Sequence, residues 1–379
     1  MRSIELFAGG GGLGIGLHLA GFHPVKVIER DRYCCDTIRK NQERDVDVVR
    51  GWKLFEGDVR EIDFRTFAGK VKLVSGGPPC QPFSLGGQHR AHKDVRDMFP
   101  EAIRAVREAR PKAFIFENVK GLTRNSFRNY FEHIRLQLQY PDITAKRGES
   151  WADHLPRLEQ HHTGSGKGSL TYRIVTQLVN AANYGVPQRR ERVFFVGFRE
   201  DLGVKWSFPP ETHSQDALAW DQTYGEYWER HRVARKSRLV PYNNRNVSVE
   251  KPSLLPWRTV RDAITDLPDP ERETGASAAL LNHRFQPGAR QYSGHTGSPL
   301  DEPAKALKAG VHGVPGGENM LRKPDGKVRY FTVRESARLQ TFPDDYQFQG
   351  SWTETMRQLG NAVPVKLART VGEDVARYL

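Results

Sequence analysis

Cysteine is scarce: the chain has three in 379 residues, and two of them are the neighbours Cys34 and Cys35. Adjacent cysteines are poorly placed to bridge one another and no CxxC pair occurs, so no disulfide framework, cysteine metal site or redox pair is expected. That usage fits a reducing, intracellular compartment. Long apolar runs are absent too. No stretch approaches the roughly 20 residues that cross a bilayer, and the opening residues MRSIELFAGGGG hold neither an apolar core nor a small-residue cleavage site. The expectation is a soluble, cytoplasmic protein without a membrane partner. Acid is also in deficit. Against 58 Lys and Arg stand 45 Asp and Glu, a net charge of +13, so the average surface attracts polyanions. A merely basic surface is the bland alternative.

What is present is enough chain for a full core and a second lobe. Over the first 200 residues short apolar runs alternate with amphipathic stretches, the pattern of βαβ units around a parallel sheet. Strands are predicted at 4–7, 25–28, 71–75, 113–117, 172–179 and 193–198, and helices at 13–20, 32–41, 97–109 and 127–138. The fold class is therefore α/β, a doubly wound, mostly parallel sheet, with 1–200 as its principal domain. From 201 to 330 Pro, Gly, His, Asn and Arg dominate and periodicity fades, which marks a smaller, loop-rich domain. Within it residues 229–246 carry six Lys and Arg against one acid, with Trp228 and Tyr242 nearby, a composition suited to phosphate and base contact or to a solvated linker. Residues 160–169 resemble a surface insertion. Regular structure resumes over 331–379, with helices at 332–340 and, after Pro364, at 365–379.

The motifs gather at predicted strand ends. Glu5-Leu-Phe-Ala-Gly-Gly-Gly-Gly-Leu-Gly14 follows a strand and opens a helix, so backbone N–H groups can approach a ligand where side chains would collide. It satisfies GxGxxG from Gly9, which fits a dinucleotide and a nucleoside-type methyl donor equally, with a plain turn as the lesser alternative. Glu29 ends the second strand, where an acid stands beside the ribose of a bound nucleoside, and Asp58 ends the third as a buried acceptor for an adenine amino group. Read singly, each is more often a solvated loop acid. In Gly76-Gly-Pro-Pro-Cys-Gln-Pro-Phe-Ser84 a Pro-clamped polar turn presents one cysteine, which favours a positioned thiolate over a buried thiol. Glu117-Asn118-Val119 ends the next strand; in a cleft the Glu117 carboxyl is expected to hold its proton to higher pH, or else to cap the following helix. Gln188-Arg-Arg-Glu-Arg192 runs into a strand, so Arg190 and Arg192 are expected to aim together into the cleft, unless the segment is an exposed basic edge.

Together these blocks resemble the cytosine-C5 DNA methyltransferase family of bacterial restriction–modification systems. The resemblance runs in order from Phe7 through Glu29, Asp58, Pro79-Cys80-Gln81, Glu117-Asn118-Val119 and Gln188 to Arg192, then Thr332-Val-Arg-Glu-Ser-Ala-Arg-Leu-Gln340 and Gln358-Leu-Gly-Asn-Ala-Val363. It implies a Rossmann-like catalytic domain in which Cys80 adds to carbon 6 of a flipped cytosine and Glu117 engages ring N3 and the amino group. Arg192 would hold the base carbonyl and Arg190 support the site. S-adenosylmethionine is the implied methyl donor, held by Phe7, Ala8, Gly9, Gly10, Gly11, Gly12, Glu29, Asp58 and Asn361, with no metal. Gly86-Gly87 would hinge a loop over the base. Target recognition falls to about 201–300, a return segment to about 301–330, and 331–379 would pack back on the first domain.

Double-stranded DNA is the implied partner of a monomeric enzyme, with a restriction endonuclease acting on the same site as its expected companion. A tRNA-methylating member of the same fold would keep the catalytic blocks, but that branch generally lacks a long variable lobe. An NAD-dependent oxidoreductase would account for Gly9 to Gly14 and leave Cys80 and both arginines unexplained.

Overall fold

The computed structural model describes residues 1–79, 97–164, 170–238, 247–272, 280–291, 293, 296–309 and 317–379. The chain runs β1 (Arg2–Leu6), α1 (Gly12–Leu19), β2 (His23–Glu29), α2 (Arg32–Glu43), β3 (Leu54–Glu56), β4 (Leu73–Gly76), α3 (Phe99–Ala109), β5 (Ala113–Val119), α4 (Arg128–Gln139), α5 (Trp151–Thr163), β6 (Tyr172–Asn180), β7 (Gln188–Arg189) and β8 (Glu191–Arg199). One seven-stranded sheet has the order β3-β2-β1-β4-β5-β8-β6. Every pairing in it is parallel except those of β8. Residues 181–190 explain that reversal, because they are too few for the crossover of about a dozen residues or more that parallel pairing needs.

Alternation along the strands sorts their side chains into two cores. Val74, Phe114, Phe116 and Phe195 pack with Ala102, Ile103 and Val106 of α3 and Ile134 and Leu138 of α4. Leu73, Ile115, Phe194 and Val196 face Leu13 and Leu17 of α1 and the C-terminal residues Leu367, Val371 and Val375. Burial on both faces is what a central parallel strand requires. The strand order reverses between β1 and β4, and a crevice opens at the carboxyl ends of strands at such a point.

After β8 regular structure thins into β9 (His213–Ser214), α6 (Gln215–Thr223), α7 (Tyr227–Arg230), β10 (Leu255–Pro256) and α8 (Val260–Ile264). A small core of Ala182, Leu218, Tyr227, Trp228 and Trp257 holds the first part together. Short strands β11 (Ser298–Pro299), β12 (Ala304–Lys305), β13 (Met320–Arg322) and β14 (Val328–Tyr330) lead to α9 (Val333–Leu339), α10 (Trp352–Asn361) and α11 (Val365–Ala376). α11 lies directly on α1: a Cβ added at Gly16 would stand 2.4 Å from that of Ala368. Glycine there permits the close approach. Among the described residues no helix is long and apolar enough to cross a membrane.

Outside the loop-rich stretch 201–330, two helices escape the sequence pattern. α10 is one, and α5 the other; Pro156 inside α5 and the histidines of its last turn mask an apolar stripe in which Leu155 and Leu158 meet Leu136 and Tyr140. Residues 160–163 are thus helical, while 165–169 lie outside the described residues. Between α4 and α5, His133 Nε2 stands 3.2 Å from His154 Nδ1, both rings buried. Burial, and then the neighbouring His154, holds His133 down to about 4, and burial lowers His154 as well. Both rings are held below the ordinary histidine range, so the unfolded chain binds more protons as acid is added. The stability contribution is complete above about pH 6.5 and is lost as pH falls toward about 4. His133→Gln is therefore expected to remove roughly 1–3 kcal/mol of the acid destabilisation seen between pH 6.5 and 4.5. Thermal unfolding of parent and variant across that range checks it; parallel curves would mean the pair titrates normally.

Candidate active site

A cleft of about 330 Å³ lies at the carboxyl edge where the strand order reverses. Its floor is the turn after β1. Phe7 adopts a positive φ of 53°, a conformation that costs a bulky residue energy and is held here by its surroundings. Ala8 N–H donates to the Ile28 carbonyl at 3.1 Å, and Gly9 N–H donates to Glu29 Oε2 at 2.7 Å. The other Glu29 oxygen accepts from the N–H groups of Arg30 and Asp31, each at 2.7 Å. A fixed carboxylate thus stands at the end of β2, facing the glycine turn.

Phe7, Ala8, Gly9, Gly12, Glu29 and Asn361 all line this cleft. Gly10 and Gly11 sit behind it. A Cβ on Gly10 would meet Gln358 Oε1 at 3.2 Å, and one on Gly11 would meet the Tyr346 hydroxyl at 3.2 Å, so these positions leave room for protein. Gly12 serves both ends, since its missing side chain would lie 2.4 Å from the Val363 carbonyl. Asp58 is not in the lining. It caps the turn Val59–Glu61, and the Arg60 side chain, bonded at 2.9 and 2.6 Å, holds its carboxyl down at about 2. Rather than a buried acceptor, it is a partly exposed acid already engaged.

Several cleft residues carry no assigned role from the sequence: Asp31, Cys34, Asn118, Arg357 and Gln358, of which Asn118 and Gln358 fall within quoted motifs. Arg357 and Gln358 stand four and three residues before Asn361 on α10, the spacing of one helical face, which is the signal that could have found them. Gln358 accepts from Thr37 at 2.8 Å and donates to the Gln349 carbonyl at 2.9 Å, and Arg357 bonds Asp31 at 2.8 Å. α10 and α2 are thereby joined across the cleft.

The register of β5 against β8 builds the other wall. Val119 is opposite Arg192, so Glu117, two residues earlier, shares its face. Arg192 Nε lies 2.6 Å from Glu117 Oε1. The guanidinium hydrogen is not directed along that contact, and Oε1 has no hydrogen-bond partner. Glu117 Oε2 borders Gly77, where a Cβ would be only 3.3 Å away. Burial pushes the Glu117 carboxyl above its usual range, opposed by Arg192 and then Arg190. Neither oxygen caps the following turn. Asn118 Nδ2 donates to the Pro78 carbonyl at 2.9 Å, so the same strand end anchors the start of the cysteine segment. Pro79 is in the lining; Cys80, Gln81 and Gly86-Gly87 lie outside the described residues.

Arg190 does not aim into the cleft. Its side chain is fully buried, donating to the Leu307 carbonyl at 3.2 Å and the Gly360 carbonyl at 2.7 Å. The expectation of a shared face assumed one continuous strand, but β7 ends at Arg189 and β8 begins at Glu191. Gln188 binds the same return segment, since β7 pairs with β12 and Gln188 Oε1 accepts from Leu307 N–H at 3.0 Å. A Cβ at Gly360 would stand 2.4 Å from Ala309 N. These residues stitch the return segment to α10.

The basic stretch after α6 is partly self-neutralised. Arg230 pairs with Asp221 at 2.7 Å and Arg238 with Glu229 at 2.8 Å, while Arg232, Arg235 and Lys236 are exposed. Trp228 is not free to stack on a base; it is buried, its Nε1 donating to the Gln222 carbonyl at 2.7 Å. Tyr242 lies outside the described residues.

Comparison with known proteins identifies the family. The sequence profile described as C-5 cytosine-specific DNA methylase matches residues 1–141 and 167–377, leaving out a stretch that contains α5. The chain is 32% identical over 380 residues to the Type II methyltransferase M.PspPI of Psychrobacter sp. (strain TA137), covering 99% of this chain and 79% of that one. It is 31% identical over 386 residues to the Type II methyltransferase M.NgoMIV of Neisseria gonorrhoeae, covering 100% and 97%. Among solved structures the S. pombe Dnmt2 methyltransferase superposes with a TM-score of 0.56 at 18% identity, over 100% of this chain and 98% of that one, a likeness of fold. The chain belongs to the C-5 cytosine-specific DNA methylase family.

Proposed function

We propose that this chain methylates carbon 5 of a cytosine flipped out of duplex DNA, with Cys80 as nucleophile and Glu117 and Arg192 as the groups that hold the ring. The observation that carries the assignment is the buried Glu117–Arg192 pair beside Gly77, on the wall reached by the residues just before Cys80. Entry of the base offers Glu117 a hydrogen-bond partner in addition to its ion pair with Arg192: the carboxyl engages ring N3 and the exocyclic amino group, and Arg192 the ring carbonyl. Attack of the Cys80 thiolate on carbon 6 then pushes electron density to carbon 5. Once carbon 5 carries the methyl group, loss of its proton expels Cys80 and restores the ring.

S-adenosylmethionine, when bound, supplies the electrophilic methyl group. The cleft fits such a donor in volume and in chemistry, with a glycine turn without side chains, a Glu29 carboxylate for ribose hydroxyls and Asn361 on the facing helix. Gly10 and Gly11 contribute by shaping the turn. Asp58, held by Arg60, keeps acceptor capacity on its partly exposed carboxylate for an adenine amino group. Arg190 acts as a positioning residue that fixes the return segment behind Arg192.

Residues from about 201 to 300 are assigned to target recognition, with Arg232, Arg235 and Lys236 as phosphate contacts. The Type II names of the relatives support a bacterial cytoplasmic setting with a companion endonuclease. Bisulfite sequencing of DNA from cells expressing the chain is expected to show protected cytosines within one short recurring sequence. Purified protein should methylate duplex DNA at least about tenfold faster than tRNA. Protection without a recurring sequence, or a preference for tRNA, would overturn the assignment.

A further inference from the structure

α5, the helix outside the family profile, is joined to the nucleophile's surroundings through the half-buried Trp151 and the buried Tyr130. The Trp151 ring stands edge-on to Tyr130 of α4, with centroids 5.2 Å apart and an interplanar angle of 73°. Tyr130 is 4% exposed and donates its hydroxyl to Asp97 Oδ2. Asp97 also accepts from Phe99 N–H through Oδ1 at 3.1 Å, which fixes the entrance to α3. Between them Met98 N–H donates to the Pro79 carbonyl at 3.1 Å. Pro79 immediately precedes Cys80. The near side of this junction is held from β5 by Asn118; the far side is held from α4 by Tyr130.

We propose that Tyr130, buttressed by Trp151, is a positioning residue for the methyl-transfer reaction: by fixing Asp97 it fixes Met98, whose N–H sets the carbonyl of Pro79, the residue bonded to Cys80. The inference rests on the assignment of Cys80 as nucleophile. A thiolate must meet carbon 6 within a few tenths of an ångström of its attack geometry, so slack at this junction reduces the rate of addition while leaving the cofactor wall untouched. The cofactor wall is built from other elements, β1, β2, α2 and α10. Loss of the phenol should therefore separate chemistry from cofactor binding.

Four variants test it in the full-length protein: Tyr130→Phe, Asp97→Ala, their combination and Asp97→Asn. The readouts are single-turnover methylation, the rate of covalent trapping on a duplex carrying 5-fluorocytosine, and S-adenosylhomocysteine affinity by calorimetry. Tyr130→Phe and Asp97→Ala should each slow methylation and trapping about tenfold, and the double variant should be no slower than the slower single. S-adenosylhomocysteine affinity should stay within about twofold, and Asp97→Asn, which keeps an acceptor oxygen, should recover most of the rate. A Tyr130→Phe rate within about twofold of the parent, losses that multiply in the double variant, or affinity that falls in step with rate would each overturn the proposal. A parent protein that forms no adduct would instead remove the Cys80 assignment beneath it.

Discussion

Cys80→Ser is expected to abolish methylation, with a loss of more than about 10³-fold, or ~4 kcal/mol of transition-state stabilisation, while S-adenosylhomocysteine binding stays near the parent value. The attacking species is an anion. A thiol ionises near pH 8.5 and can be drawn lower by positive surroundings, whereas a serine hydroxyl holds its proton far above neutrality and would need a base to remove it. No such base is built into the described wall: Glu117 is paired with Arg192, and burial favours its protonated form. Cofactor affinity should persist because the turn after β1, Glu29 and α10 do not depend on the cysteine. Trapping on a 5-fluorocytosine duplex separates the roles, since fluorine at carbon 5 cannot leave as a proton and the adduct accumulates. Parent protein should form it and Cys80→Ser should not. An adduct that survives the substitution would place the nucleophile elsewhere.

Much of this site was legible because the sheet does most of the positioning. Each of Phe7, Glu29, Pro79 and Glu117 stands at or just beyond the carboxyl end of a strand, and parallel strands bring such ends to one edge whatever the loops do. Arg192 joins them for the opposite reason: β8 runs backwards, so its amino end meets the carboxyl end of β5. Illegible were the features set by contacts between distant segments. Nothing local marks Arg190 as a buried stitch to Leu307 and Gly360 rather than a second cleft arginine. Gly10, Gly11 and Gly16 look alike in sequence, yet each makes room for a different protein segment, and only the fold says which. Asp58 stands apart from the cleft lining for a local reason: Arg60, two residues on, already engages its carboxylate.

Glu117→Gln is expected to slow the chemical step by about 10²–10³-fold, ~3–4 kcal/mol, and to change DNA affinity by only a few-fold. Glutamine keeps the shape and can donate an N–H toward ring N3. It cannot give up a proton as electron density builds in the ring, so the loss falls on the transition state. The pH profile carries a second signature. Burial raises the Glu117 carboxyl above its usual range despite Arg192, so its protonated form survives to higher pH than in a free glutamate. The rate should climb with pH as the Cys80 thiolate forms and fall again as Glu117 loses its proton. In the glutamine variant the descending limb should vanish and the ascending limb remain. Arg192 loses its carboxyl partner in that variant, a structural cost that unfolding temperature and S-adenosylhomocysteine affinity would report separately from turnover. If turnover and DNA binding fell together, or the descending limb persisted, Glu117 would be a scaffold for Arg192 and the proton would come from another group.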